Sequence, residues 1–233
     1  MNALERHARD VTACRLCPRL TAYREEVART RRRAFAEEEY WGRPVPGFGD
    51  PRARVVLVGL APAAHGANRT GRMFTGDGSD GMGASDFLTA ALHATGFASI
   101  PTSLHAGDGL VLTDLWLTAA VRCAPPGNRP APDEVARCAP WLDREIALLP
   151  RARCVVALGA LAHRSCLRHL AARGAGLPRP RPRFAHGAVY APGDGLPVLL
   201  SSYHPSRQNT QTRRLTQTML RAVLRRALEV AAS

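Results

Sequence analysis

The chain reads as an α/β protein whose parallel β-sheet is covered on both faces by helices. Short, β-branched apolar runs alternate along it with longer segments of helical character, the order that builds βα units and a parallel sheet. The runs are apolar without a polar alternate, as strands buried on both faces are. A third observation bounds the size. With 233 residues, 45% of them apolar, the chain can fill one sizeable core, so a single domain spanning 1–233 is expected.

The elements follow in order. Residues 54–60 (RVVLVGL) form the first strand, closed by a glycine where a loop begins. Similar runs lie at 110–121 (LVLTDLWLTAAV), 153–159 (RCVVALG) and 197–203 (PVLLSSY). Helices are expected at 84–95, 133–149 and 160–171, and a final one at about 211–231. Ligands of such a sheet bind beyond the carboxyl ends of the strands, so the loops there are the places to look for chemistry. Two stretches break the alternation. Residues 29–52 carry Arg31–Arg33, then Glu37–Glu39, then a Gly/Pro turn region, and read as solvated surface. Residues 172–187 (ARGAGLPRPRPRFAHG) read as an exposed, partly mobile excursion.

Charge narrows the function. The formal net charge is +13, and all 32 basic residues are Arg. Residues 1–145 hold 18 Arg and 17 acids, whereas residues 146–228 hold 14 Arg and one acid, Asp194. A GC-rich coding sequence explains Arg in place of Lys but not the missing acids. A basic excess confined to one segment points to a polyanionic partner, and nucleic acid is the expected one. No run reaches the roughly 18 apolar residues of a membrane span, and the N-terminus lacks the apolar core of a signal peptide, so a cytoplasmic protein is expected.

In that compartment six cysteines argue against a disulfide framework. Cys14 and Cys17 form a CxxC, and Cys123 and Cys138 lie far downstream. Two neighbouring thiolates plus two from distant segments suit a tetrahedral sulfur site. The wide second spacing favours an iron-sulfur cluster over zinc without excluding zinc. Cys154 and Cys166 sit among apolar neighbours and read as packing residues.

The loop after the first strand (GLAPAAHGANRTGRMFTGDGSDGMG, 59–83) brings backbone close to a ligand, but lacks the Lys-Ser/Thr ending of a P-loop. It contains Phe74 and, three residues on, Asp77, a stacking face and an anion suited to a planar heterocycle. Taken alone, Asp77 reads more readily as an ordinary turn residue. After the last strand comes SSYHPSRQNTQTRRLTQTML (201–220). His204 falls at the strand's carboxyl end, and Ser206, Arg207, Gln208 and Asn209 can donate to phosphates or base edges.

Together, GLAPAAHGANRTGRMFTGDGS, VRCAPPGNRPAP and SSYHPSRQNTQTRRLT, with the four cysteines, closely resemble the family 5 uracil-DNA glycosylases from Cys14 to about Thr216. The resemblance implies a three-layer α/β/α sandwich with a four-stranded parallel sheet. It further implies a [4Fe-4S] cluster held by Cys14, Cys17, Cys123 and Cys138, and excision of uracil from DNA. Double-stranded DNA is the expected partner, and without a convincing dimer interface in the sequence a monomer is the default expectation. Other branches place a polar residue where this chain has Ala61 and an Asn where it has Ala119. Both absences are typical of family 5, in which the carboxylate of the TGD segment, here Asp77, is the candidate catalytic acid. The expected catalytic pair is therefore Asp77 and His204, with Gly59, Ala61, Phe74, Asn128, Ser206, Arg207 and Asn209 contacting substrate. Without the uracil-reading Asn, activity on further deaminated or damaged bases is expected.

Overall fold

A computed structural model describes residues 1–76, 83–193 and 195–233. All four expected strands are present, each shorter than its apolar run: β2 (Val55–Gly59), β3 (Leu115–Ala119), β4 (Cys154–Leu158) and β6 (Val198–Ser202). They form the parallel centre of the sheet in the order β3-β2-β4-β6. Two edge strands of two residues each were not expected. β1 (Phe48–Gly49) adds antiparallel to β3, and β5 (Val189–Tyr190) adds antiparallel to β6, giving six strands in all.

Alternate residues of each strand feed opposite faces, as the two-residue period demands. Val55, Leu57, Leu115, Leu117, Val156 and Leu200 pack under α4 (Ala84–Ala94) and α8 (Gln217–Ala232), against Leu88, Leu92, Leu220 and Leu224. Val56, Val58, Trp116, Val155 and Leu199 pack on the other face, against Leu142 and Ile146 of α5 (Pro132–Ala147) and Leu167 and Leu170 of α6 (Ala160–Ala172). This is the three-layer α/β/α arrangement. Cys154 lies in the first core and Cys166 in the second, both as free thiols filling apolar space.

The last helix starts later than its periodicity suggested. Thr216 caps it by accepting from Met219 N at 3.2 Å, and a short helix α7 (Arg207–Gln211) precedes it, separated by a turn with Arg213 at φ +56°. Two N-terminal helices, α1 (Ala3–Thr12) and α2 (Pro18–Thr30), complete the described fold with the single-turn α3 (Ala67–Thr70). α1 begins with a reciprocal cap between Asn2 and Glu5, and α2 with Pro18 in its first turn.

A buried polar group ties these helices to the sheet. Glu145 of α5 accepts from Arg122 Nη2 at 2.6 Å, from Gly47 N at 3.1 Å and from the Thr118 hydroxyl, which also accepts from Arg122. Glu145 and Arg122 are each 1% exposed, and the ring of His7 from α1 lies 3.9 Å from Glu145. Among the described residues no helix is long and apolar enough to cross a membrane.

Candidate active site

The parallel strands all end on the same side, and the loops leaving β2 and β6 bring Phe74 and His204 together there. Their rings lie 6.4 Å apart between centroids, tilted by 31°. Phe74 sits at φ +50°, a left-handed backbone conformation that a non-glycine residue adopts only when its surroundings enforce it. The enforcement is visible on both sides of the ring. Phe74 packs against Met73 and Ala119, and it covers the end of β2 so closely that a Cβ on Gly59 would stand 2.5 Å from its Cζ. Glycine at 59 is thus what lets the aromatic face settle over the sheet. Ala119, paired with Gly59 across the ladder and 1% exposed, forms the floor beside it.

Two buried arginines that the sequence reading passed over hold the rest of this loop. Arg69 donates to the carbonyls of His65 at 2.9 Å and Gly76 at 2.8 Å, pairs with Glu38, and lies over the Phe35 ring at 4.0 Å. Arg72 donates to Thr75 at 2.9 Å and to Ser103 at 3.1 Å, and meets Asp108 at 2.7 Å. Burial alone would raise the Asp108 carboxyl, but Arg72 and the amides of Leu110 and Leu104 outweigh it and hold the group well below the usual carboxylate range. Gly76 N also donates to Ser103 O at 2.8 Å, so the chain is fixed up to the residue before Asp77. Asp77 itself lies outside the described residues.

On the opposite loop, the Asn209 side chain donates to the His204 carbonyl at 2.8 Å. Asn209 therefore braces the histidine, leaving only part of its amide for substrate. Ser206 stands at the cap position of α7 without a side-chain cap bond, and Arg207 is exposed. Asn128 is exposed on the turn Pro126–Asn128, at φ +56°. Arg214 lies 4.6 Å from the centroid of the Tyr203 ring.

Cys14, Cys17, Cys123 and Cys138 line one small cavity with Leu20, Val121, Arg122, Arg137 and Trp141. Burial pushes the Cys123 thiol up to about 12 and Cys138 up to about 11, although nearby guanidinium groups pull the other way, Arg24 on Cys123 and Arg122 on Cys138. Arg122 N also donates to Cys138 Sγ at 3.3 Å. Four thiols among three arginines form a donor set that favours thiolate once a cationic group enters. Among the described residues no three His, Cys, Asp or Glu side chains are grouped as a metal ion would need. Ala61 packs against the apolar cluster that contains Cys17, Cys123 and Cys138.

A profile of the Uracil DNA glycosylase superfamily matches residues 46–228. The chain belongs to that superfamily. Within it the similarity is to type 5. The chain is 55% identical over 227 residues to the type-5 uracil-DNA glycosylase of Thermus thermophilus, covering 97% of this chain and 98% of the relative. It is 52% identical over 222 residues to that of Mycobacterium tuberculosis, covering 95% and 79%. A type-4 uracil-DNA glycosylase of Pyrobaculum aerophilum is 30% identical over 170 residues, covering 72% and 74%. The superfamily placement agrees with the resemblance carried by the loop motifs.

Proposed function

We propose that the protein flips uracil out of double-stranded DNA and hydrolyses its N-glycosidic bond, leaving an abasic site that opens base excision repair. The observation that carries this reading is the pairing of Phe74 with His204 at the carboxyl end of the sheet, in a chain about half identical to type-5 enzymes. Extrusion of a base costs a few kcal/mol, least for mispaired or damaged nucleotides. The loop from His204 to Asn209 enters the helix, and Phe74 stacks on the extruded base. As the glycosidic bond lengthens, negative charge grows on the pyrimidine O2 and positive charge on the deoxyribose. His204 donates to O2, and Asp77 offsets the sugar cation and orients the water that attacks C1′. Asn128, Ser206 and Arg207 contribute polar contacts, and Gly59 and Ala61 shape the near wall. No lysine exists in the chain to form a Schiff base, so strand cleavage does not follow.

The four cysteines would hold a [4Fe-4S] cluster, whose contribution is to tie the N-terminal helices to the segment after β3. The shared cavity and the three surrounding arginines support that reading. With Ala at 61 and 119, neither position supplies a hydrogen bond that reads uracil. Stacking and shape discriminate weakly, so hypoxanthine and bulkier damaged pyrimidines are also substrates. The enzyme acts as a monomer on DNA of the nucleoid.

The test is a labelled duplex with one uracil, incubated with the protein and then treated with alkali. Cleavage at the uracil with wild type, lost on His204→Ala and on Asp77→Asn, is the expected result. Binding without any alkali-labile product would instead make the protein a non-catalytic damage sensor. Excision of uracil with hypoxanthine and ethenocytosine left wholly intact would refute the broad specificity.

A further inference from the structure

Residues 177–190 depart from the loose excursion their composition suggests. The chain leaves α6, bends at residues 179–180 and returns toward β5, and from Arg181 on its residues turn alternately out and in. Pro182, Phe184 and His186 are half-buried, whereas Arg181, Arg183 and Ala185 between them are exposed, as is Arg179. The inward residues are anchored one by one. His163 Nε2 lies 3.0 Å from the Pro182 carbonyl, which can only accept, so Nε2 carries a hydrogen, and Nδ1 shares a 2.8 Å hydrogen bond with the Ser201 hydroxyl. Phe184 meets the rings of His163 and Tyr203 edge-on at 5.8 and 6.0 Å. His186 stacks on Tyr203 at 5.2 Å and accepts from Tyr203 N at 3.3 Å. Gly187 N then donates to Ser201 O at 2.8 Å, and β5 completes the pairing with β6.

The strap is thus pinned along the carboxyl half of β6 and onto Tyr203, the residue before His204. Its outward face holds three guanidinium groups within five residues, and none makes a hydrogen bond or ion pair with a described residue. The sequence offers no acid nearby, since Asp194 is the only one between Glu145 and Glu229. The alternating prolines at 178, 180 and 182 fix φ and lower the entropy lost when the arginines engage a ligand. Like charges held together on a stiff, anchored segment make an anion site, and its place beside the loop that enters DNA selects the anion.

We propose that Arg179, Arg181 and Arg183 grip backbone phosphates of the duplex flanking the extruded nucleotide, as a second DNA contact separate from the base pocket. This rests on the reading of duplex DNA as substrate. The experiment compares wild type with the triple variant Arg179→Gln/Arg181→Gln/Arg183→Gln on uracil duplexes of about 12 and 30 base pairs over a salt series, each phosphate contact adding roughly 0.9 to the salt slope. On the long duplex the variant should lose up to about 3 units of slope and bind roughly 10- to 100-fold more weakly. On the short duplex it should bind nearly as wild type, and the single-turnover rate at saturating enzyme should be unchanged on both. The triple Lys variant should restore most of the binding, and Phe184→Ala, which frees the strap and keeps its charge, should weaken long-duplex binding by itself. Equal slopes and affinities for wild type and the Gln variant would overturn the proposal and leave the prolines only the task of blocking edge pairing. Wild type that binds long duplexes through the strap but excises no uracil would refute the glycosylase reading and not this one.

Discussion

Gly59→Ala tests how the stacking face is held. Gly59 is not in the left-handed region, so alanine brings no backbone strain, and the whole cost falls on the contact with Phe74. The new methyl would stand 2.5 Å from Cζ and 2.9 Å from Cε2, where ordinary contact begins at 3.4 Å. β2 cannot yield, being hydrogen-bonded on both sides with all five residues buried, so the ring must move. The shift is about 1 Å, and a misplacement of that size can cost on the order of 100-fold in rate. Single-turnover excision from a uracil duplex measures it, with thermal unfolding as a control for the fold.

The decisive form is a double-mutant cycle. Phe74→Leu removes the atoms that Gly59→Ala strikes and loses the stacking face, worth about 1–3 kcal/mol per base, or roughly 5- to 150-fold. In that background Gly59→Ala has nothing left to displace, so the double variant should match Phe74→Leu within about twofold. A wild-type rate for Gly59→Ala, or losses that multiply across the cycle, would show that Phe74 does not act through its position over β2.

Three further outcomes concern the framework. Glu145→Gln leaves the Arg122 cation buried without its counter-charge and should cost about 3–5 kcal/mol in chemical denaturation, far more than an exposed pair would. Burial holds the His7 imidazole below its ordinary pKa against the pull of Glu145, with Arg122 adding to the depression. The unfolded chain then binds the proton first, so the contribution is fully present above about pH 6.5 and is lost as pH falls through the folded value. Urea midpoints compared above and below that pH should diverge for wild type and much less for His7→Leu. Cys17→Ser should lower the yield of folded protein and any visible absorbance before it changes the rate per folded molecule. A variant that folds in normal yield, lacks the absorbance and keeps full activity would count against a structural cluster.

The four central strands were legible because they are buried on both faces and carry unbroken apolar runs. The N-terminal helices were not. The inward stripe of α2 includes Thr21 and Arg24, and that of α1 includes His7, so their buried faces do not look apolar. β1 and β5 are two residues long, below what a periodicity can reveal. In the site, Phe74, Asp77 and His204 stood out by type and by place after strands. Arg69 and Arg72 did not, because a glycine-rich loop gives no sign that its arginines turn inward. The pattern PRPRPRF shows its charge in sequence, but its anchoring by His163 and Tyr203 exists only in three dimensions.

Parallel strands put every loop that would meet DNA at one end of the sheet, and this separates two kinds of damage. The loop of Phe74 is braced by the buried Arg69 and Arg72, that of His204 by Asn209 and by the strap on Tyr203. Substitutions in these braces should disturb the pocket while the two cores stay intact. The cysteine cavity instead joins α2, the segment after β3 and α5, and Ala61 of the first loop packs against its cysteines. The first loop carries its own brace, with Gly76 fixed by Arg69 and Ser103, so loosening the cysteine cavity should leave the Phe74 face in place.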